Sequence, residues 1–265
     1  MSLPPDFPLA HEAPQPDRPI VVAANRLPVM RSDDGWTASP GGLVRALLPM
    51  LRDTGGTWVG WTGTPDDTTE PFALEGVDLH PVPITAEEIE LYYEGFSNDA
   101  LWPLYHDARR ESTYTGEQWD AYVTVNQRFA DTIADIAPPD AIVWIHDYQL
   151  QLVPEMLRER RSDVTIGFFL HIPFPPYELF SLLPWRTEVV EGLLGCVLVG
   201  FQRPKDAANF AAAAHELTGV DAHDHAIEHP DRLTHVGTFP ISIDVGDVEE
   251  MAAGRATRQR MSQIR

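Results

Sequence analysis

The segments IVWIHDYQL at residues 142–150 and IGFFLHIPFPP at residues 166–176 decide the fold that we expect for this chain. Each is apolar until its last residues, which is typical of a strand buried on both faces of a parallel sheet. His146, Asp147 and His171 stand where these apolar runs end. Because open α/β sheets bind ligands beyond the carboxyl ends of their strands, we expect these side chains to face a cleft rather than the core. Taken alone, His146 is better interpreted as a hydrogen-bonded structural histidine.

On both sides of these segments, strand patterns alternate with helix patterns. Further strands are predicted in IVVAANR, TWVGWTG, LHPVPI, CVLVGFQ and THVGTFPISID, and helices in LVRALLPML, LVPEMLRER, YELFSLLP, EVVEGLL and AANFAAAAHEL. Two more helices are predicted, one from Thr85, which forms a capping box with Glu88, and one from about Glu117 to Ala137. This alternation predicts an α/β fold with a Rossmann-like parallel sheet and helices on both faces.

The composition argues against several classes of protein. No run in the 265 residues approaches the roughly 18 apolar residues of a membrane span, and the N-terminus has no signal-peptide pattern, so we expect a cytoplasmic protein without a membrane partner. The formal net charge of −21 argues against a nucleic acid partner. The charge is explained equally well by adaptation to high salt or by an ordinary acidic protein from an arginine-favouring genome. The single cysteine, Cys196, excludes an internal disulfide and is predicted to be buried. The stretch HELTGVDAHDHAIEHP lacks zinc spacing, so we expect an acidic loop and no metal.

Three segments are expected along the chain. Residues 1–18 hold several prolines and little periodicity, which predicts a disordered acidic leader. Residues 19–245 carry the alternating pattern and are expected to form one Rossmann-like domain. Residues 246–265 are expected to form a terminal helix or a linker.

The end of the first strand and the start of the first helix carry candidates for binding an anion. Arg26 is the last residue of the strand, and its planar guanidinium can make two parallel hydrogen bonds to a phosphate or a carboxylate. Gly41 and Gly42 open the helix, where free backbone N–H groups attract phosphate, although by itself such a pair is better interpreted as a plain turn. The spacing does not match G-x-G-x-x-G, which argues against a nicotinamide cofactor.

Aromatic residues interleaved with amides and hydroxyls indicate a sugar site. Trp61 lies in TWVGWTG, and Tyr93 and Trp102 lie in YYEGFSNDALWP. Rings stack on the C–H faces of sugars, although most tryptophans belong to the core. Asp147 and His171 are the sharper candidates, because a carboxylate holds sugar hydroxyls and a histidine can donate to an oxygen.

Taken together, NRLP, SPGGL, WVGW, YYEGFSNDALWP, WDAYVTVNQRFAD, IVWIHDYQL, GFFLHIPFPPYELF and GFQ resemble glycosyltransferase family 20, the trehalose-6-phosphate synthase family. The resemblance runs in order from about Pro19 to Asp244. It implies the N-terminal half of a GT-B fold, in which two Rossmann-like domains face each other across a cleft. It also implies the retaining transfer of glucose from a nucleotide sugar of the UDP-glucose type to glucose 6-phosphate, giving trehalose 6-phosphate. The nucleotide sugar is then a co-substrate, and no cofactor is expected.

At the matching positions of this sequence, the resemblance implies the following acceptor contacts. Arg26 and Tyr93 would bind the acceptor phosphate, and Trp61 and Trp102 would line the sugar pocket. Asp147 would hold acceptor hydroxyls.

The resemblance also implies donor contacts and a mechanism. His171 would bind the transferred glucosyl unit, while the backbones of Gly41 and Gly42 would approach the donor phosphates. Asp147 and His171 are therefore the catalytic candidates. The family is thought to react by front-face attack, with the donor phosphate taking the acceptor proton, so no enzyme nucleophile is expected.

In this family a second domain supplies the cations that neutralise the donor diphosphate, and no matching motifs follow in this sequence. We therefore expect an acceptor half-site and no turnover by the 265 residues alone. Alternatives are a family member that makes glucosylglycerol phosphate or uses a pseudo-sugar, and a non-catalytic sugar-phosphate-binding subunit. A homo-oligomer is a further open alternative.

Overall fold

The structure, a computed structural model, describes residues 18–32, 35–108, 112–223, 225–229, 232–241, 252–254, 257 and 260–261. Of the predicted leader at residues 1–18, only Arg18 is described. The predicted terminal helix or linker at residues 246–265 lies mostly outside the described residues, as does Asp224 of the predicted acidic loop.

Twelve strands are present in the part of the chain that the structure describes. They are β1 (Ile20–Arg26), β2 (Val29–Ser32), β3 (Gly35–Ala38), β4 (Thr57–Trp61), β5 (Phe72–Leu74), β6 (Val77–Pro81), β7 (Ile142–His146), β8 (Thr165–Leu170), β9 (Leu198–Phe201), β10 (Asp221–His223), β11 (Ala226–His229) and β12 (Arg232–Thr238). Ten of them form one sheet in the order β10-β11-β12-β9-β8-β7-β1-β4-β6-β5, and β2 and β3 form a separate hairpin.

The centre of the sheet is parallel. The pairs from β12 through β9, β8, β7, β1 and β4 to β6 all run in the same direction, as predicted. The chain leaves β1 for β4 on one side and later crosses to β7 on the other side, so a topological switch point lies between β1 and β7. Ligands of open α/β sheets bind at such a point.

The helices cover the two faces of the sheet unevenly. They are α1 (Gly42–Thr54), α2 (Ala86–Glu88), the π-helix (Ile89–Leu101), α3 (Trp102–Tyr105), α4 (Gly116–Ile136), the 3₁₀ turn (Tyr148–Leu150), α5 (Val153–Arg160), α6 (Tyr177–Phe180), α7 (Arg186–Leu194) and α8 (Pro204–Thr218). The π-helix, α4, α5, α7 and α8 share one core with Val21 and Ala23 of β1, whereas α1 packs on Val22 and Ala24 of the opposite face. Beyond α1, that second face carries an open apolar groove of about 610 Å³, whose lining includes Trp144.

Each strand and helix predicted between Pro19 and Thr238 is present, and the starts and ends differ by a few residues. The capping box at Thr85 is confirmed: the Glu88 N–H donates to the Thr85 hydroxyl at 3.2 Å, and the Thr85 N–H donates to Glu88 Oε2 at 2.9 Å. Cys196 is buried, as predicted, and burial raises the pKa of its thiol.

The acidic stretch after α8 is not the loop that we predicted. Its residues form β10 and β11, an antiparallel hairpin that extends the sheet beyond β12. The hairpin is anchored by fully buried Ile227, and Val220 beside it is also buried, which suffices for two short strands at the end of the sheet. The strands β2, β3 and β5 were also missed, because short edge strands with few apolar residues give a weak period-two signal.

Described helices include none that is long and apolar enough to cross a membrane.

Candidate active site

Asp147 follows β7 directly and occupies an unusual backbone conformation, with φ 73° and ψ 168°. Only glycine adopts this region readily, and strain of this kind persists where the surrounding structure holds the residue for a function. The Asp147 carboxylate accepts hydrogen bonds from the backbone N–H groups of Tyr148 at 3.1 Å and His171 at 3.3 Å. Burial nevertheless raises its pKa from 3.8 to about 6, since desolvation outweighs the two hydrogen bonds.

His171 follows β8, the strand beside β7, and its ring meets that of His146. The Nδ1 atom of His146 lies 3.0 Å from Nε2 of His171. Burial lowers the pKa of His146 to about 3, helped by the nearby His171 ring, and lowers the pKa of His171 to about 4. Both imidazoles are therefore neutral at pH 7. The prediction of a satisfied structural His146 is half right, because its Nε2 is buried without a hydrogen-bond partner among the described residues.

Arg26 ends β1, between the ends of β7 and β4. Its guanidinium carbon lies 4.6 Å from the centre of the Trp61 ring, in a cation–π contact. On another side it lies against Gly63, which has φ +92° and where a Cβ atom would overlap the guanidinium. Within the described residues, no carboxylate lies within ion-pair distance of Arg26. In a chain of net charge −21, this leaves the guanidinium available to an anionic ligand.

Tyr93 lies in the π-helix and contacts the same tryptophan as Arg26. Its ring meets that of Trp61 edge-on, with 6.0 Å between the centres. The same helix is tied to the strand ends by two hydrogen bonds. The hydroxyl of Tyr92 donates to Asn25 Oδ1 at 2.8 Å, and the hydroxyl of Tyr148 donates to Asn98 Oδ1 at 2.8 Å. π-Helices are rare and frequently occur at functional sites.

The other predicted residues lie apart from these contacts. Gly41 is the N-cap of α1 and has no side-chain capping bond, and both it and Gly42 are exposed. A Cβ atom at Gly42 would meet no atom within 4 Å. The free N–H groups of a helix start are thus accessible to an anion. Trp102 is 43% exposed, and its ring stacks on His106 at 4.1 Å rather than on the aromatic residues of the site.

The structure therefore brings the predicted residues together in two groups, Asp147 with His171 and Arg26 with Trp61 and Tyr93. It does not bring Trp102 into contact with either.

Three contributors were missed by sequence reasoning. They are Gly63, Tyr148 and the partnership of the two histidines. A glycine directly after TWVGWT gives a weak signal, since a turn explains it equally well. Nothing in a sequence pairs His146 with His171, because their contact depends on the pairing of β7 with β8.

This arrangement suits a ligand that is both anionic and rich in hydroxyl groups. A bidentate cation next to two aromatic rings binds a phosphate, while a carboxylate and a neutral imidazole bind hydroxyls. No group of three or more histidine, cysteine or carboxylate side chains among the described residues could hold a metal ion.

Comparison with known proteins shows the family to which the chain belongs. The family model described as Glycosyltransferase family 20 matches residues 18–265. The trehalose-6-phosphate synthase of Mycolicibacterium smegmatis is 52% identical over 269 residues, which cover 96% of this chain and 54% of that protein. The trehalose-6-phosphate synthase of Mycobacterium tuberculosis strain H37Rv is 49% identical over 271 residues, covering 94% and 54%. The chain thus spans about half the length of the curated relatives it matches.

The chain also corresponds to about half the length of similar solved structures. The UDP-forming α,α-trehalose-phosphate synthase from Burkholderia xenovorans has a TM-score of 0.80 at 29% identity, covering 94% of this chain and 54% of that one. The E. coli structure bound with UDP-2-fluoro glucose has a TM-score of 0.78 at 32% identity, covering 89% and 51%. The described fold corresponds to about half of each solved chain.

Proposed function

The chain belongs to glycosyltransferase family 20, and we propose that it is the acceptor-binding half of an enzyme that transfers glucose from a UDP-glucose-type donor to glucose 6-phosphate with retention. The product is trehalose 6-phosphate. Its fold is one Rossmann-like half of the GT-B fold. The complete reaction is proposed for this half together with a donor-binding half, in the cytoplasm, with the nucleotide sugar as co-substrate and no cofactor.

One observation carries the proposal: Arg26 stands over Trp61, without a carboxylate partner among the described residues, at the switch point of the sheet. A surface of net charge −21 repels anions, so an unpaired guanidinium there is best explained by an anion that it binds. Tyr93 contacts the same Trp61 ring, and in this proposal its hydroxyl binds the same phosphate.

The sugar part of the acceptor is assigned to the end of β7, the strand beside β1. Asp147 is ionised at pH 7, because its pKa is about 6, and a carboxylate accepts hydrogen bonds from sugar hydroxyls. His171 is neutral and can bind an oxygen of the transferred glucosyl unit. The relative solved with UDP-2-fluoro glucose supports a nucleotide-sugar donor.

In this proposal the chain's own residues orient the reactants and form no covalent intermediate. Arg26 and Tyr93 hold the acceptor phosphate at one end, and Asp147 fixes its hydroxyls at the other, so the attacking oxygen is placed against the donor carbon. The N–H groups of Gly41 and Gly42 would contribute to stabilising the phosphate that leaves. The proton goes from the acceptor hydroxyl to that phosphate.

Isothermal titration of the 265-residue chain with three ligands tests the proposal. We expect glucose 6-phosphate to bind roughly tenfold or more tightly than glucose, since a hydrogen bond to a charged group contributes about 1.5–3 kcal/mol. We also expect glucose 6-phosphate to bind more tightly than glycerol 3-phosphate, because only the hexose reaches Asp147 with its hydroxyl groups while its phosphate binds Arg26. Equal affinity for glucose and glucose 6-phosphate would refute the phosphate site. Tighter binding of glycerol 3-phosphate would favour the family members that use glycerol phosphate.

Gly63→Ala is expected to lower the affinity for glucose 6-phosphate by about tenfold, because the new Cβ would displace the Arg26 guanidinium from Trp61. It also forces alanine into a φ of +92°, which should cost about 1–2 kcal/mol of stability. Calorimetric titration and thermal unfolding measure the two effects.

Gly35→Ala is the matched control. Gly35 also has a positive φ, +115°, but a Cβ there would meet no atom within 4 Å. It should therefore lose stability in the same way and keep full affinity. If both variants lost affinity equally, backbone strain rather than the position of Arg26 would explain the loss.

A further inference from the structure

The contact between His146 and His171 restricts where the two rings carry their protons. His146 is only 1% exposed, and its Nδ1 lies 3.0 Å from Nε2 of His171. A hydrogen bond between two ring nitrogens needs an N–H on one and a lone pair on the other. Since both rings are neutral at pH 7, each carries one proton, and only two arrangements are possible.

In the first arrangement, His146 donates from Nδ1, so its Nε2 is a bare lone pair and His171 carries its own proton on Nδ1. In the second, His171 donates from Nε2, and the proton of His146 must be on its Nε2. That atom is buried and has no hydrogen-bond partner among the described residues. A buried N–H without an acceptor is rarer in proteins than an acceptor without a donor, so the first arrangement is favoured.

We propose that His146 is a positioning residue, which donates its Nδ1 proton to His171 and thereby holds His171 in the tautomer with its proton on Nδ1. In the described part of the chain, Nδ1 of His171 makes no hydrogen bond and is not among the buried polar atoms that lack one. His171 then presents an N–H donor to a ligand, and the ligand must offer an oxygen that accepts.

This tautomer has a consequence for specificity that rests on the proposed function. A fixed N–H donor binds a sugar oxygen through a lone pair, whereas the other tautomer would require a hydroxyl that donates. The second ring nitrogen commonly sets the tautomer of a functional histidine, and here a histidine, rather than a carboxylate or a carbonyl, performs that task.

Nuclear magnetic resonance of the ¹⁵N-labelled 265-residue chain tests the proposal without any ligand. Long-range ¹H–¹⁵N correlation distinguishes a protonated ring nitrogen from a bare one. At pH 7.5 we expect His171 to show a protonated Nδ1 and a bare Nε2, and His146 to show the same pattern. A protonated Nε2 on His171 or a doubly protonated ring on either residue would overturn the proposal.

Two other histidines calibrate the spectrum. The Nδ1 atoms of His106 and His215 each lie 2.8 Å from a backbone carbonyl oxygen, which only accepts, so both Nδ1 atoms must carry a proton. Loss of the His171 signals in His171→Gln assigns them.

Two substitutions then separate positioning from packing. His146→Asn keeps an N–H donor near the position of Nδ1, so His171 should keep its tautomer. His146→Leu removes the donor, so the proton of His171 should redistribute between its two nitrogens and change both shifts. An unchanged His171 in His146→Leu would refute the role of His146. If the leucine variant fails to fold, the wild-type spectrum still decides between the two arrangements.

The tautomer measurement does not depend on whether glucose 6-phosphate is the acceptor. Titration with glucose 6-phosphate tests Arg26, while the spectrum of the free chain tests the histidine pair. If glucose 6-phosphate fails to bind and the tautomers are as expected, only the proposed function is overturned. If it binds as expected and the tautomers differ, only this inference is overturned.

Discussion

Asp147→Asn is expected to make the folded chain more stable at pH 7.5 while weakening its binding of glucose 6-phosphate. The carboxylate is held in a site that disfavours its charge, since burial raises its pKa from 3.8 to about 6. A neutral amide avoids this cost and can still accept the backbone N–H groups of Tyr148 and His171. A shift of about two pKa units corresponds to up to about 3 kcal/mol, which is the expected gain in the free energy of unfolding.

The gain should depend on pH in a defined direction. Because the pKa of Asp147 is higher in the folded state, the folded protein binds the proton more tightly than the unfolded chain. Below about pH 4 the side chain is protonated in both states, and the two proteins should be equally stable. As the pH rises from about 4 to about 6, the wild type should lose stability relative to the variant, and the difference should be constant above that range. The contributions of His146 and His171 occur in both proteins and cancel in the difference.

Denaturant unfolding of both proteins between pH 4 and pH 8 measures this difference. Asp140→Asn is the matched control, because Asp140 is exposed, has a positive φ of 59° and changes the net charge equally. It should show no such gain. We assign Asp147 to ligand binding and infer that its carboxylate costs stability. A loss of stability in Asp147→Asn above pH 6, or an unchanged affinity for glucose 6-phosphate, would contradict this assignment.

Arg26→Ala is expected to reduce the affinity for glucose 6-phosphate by about 10- to 100-fold. In the proposed site, the Arg26 guanidinium makes two hydrogen bonds to one phosphate, and the substitution removes both. Hydrogen bonds to charged groups contribute about 1.5–3 kcal/mol. Arg26→Lys should fall between the alanine variant and the wild type, because lysine keeps the charge but loses the planar fork over Trp61. Stability should change little, since the Arg26 side chain is exposed.

Arg31→Ala provides a close control for this prediction. Arg31 also stacks on a tryptophan, with its guanidinium carbon 4.8 Å from the centre of the Trp36 ring. It differs in lying 4.0 Å from the carboxylate of Asp67. Calorimetric titration should show full affinity in Arg31→Ala. If both alanine variants weakened binding equally, a general effect of net charge would explain the result rather than a phosphate site at Arg26.

The fold was predictable because its elements are long, apolar and regular. The buried strands β7 and β8 are continuous apolar runs in the sequence. The helix α4 was predicted from its amphipathic pattern, and its predicted start and end each differ by one residue from the observed ones. Short strands at the margin of the sheet such as β10 and β11 were missed, because they owe their structure to pairing with each other and, through β11, with β12 rather than to their own residues. The π-helix was likewise predicted only as helix, since local propensity does not distinguish its hydrogen-bond pattern from that of an α-helix.

For the site, the sequence by itself determined which chemical groups are available and which edge of the sheet carries them. Arg26 ends one parallel strand, Asp147 and His171 follow two others, and parallel strands end at the same edge. Only the tertiary structure decided the contacts between these groups. The strand order placed β8 beside β7, which brought His146 and His171 together. The folded chain also leaves no described carboxylate within ion-pair distance of Arg26. The physical reason is that pKa values, tautomers and ion pairs depend on distances of a few ångströms between residues far apart in the chain, and chain folding alone sets those distances.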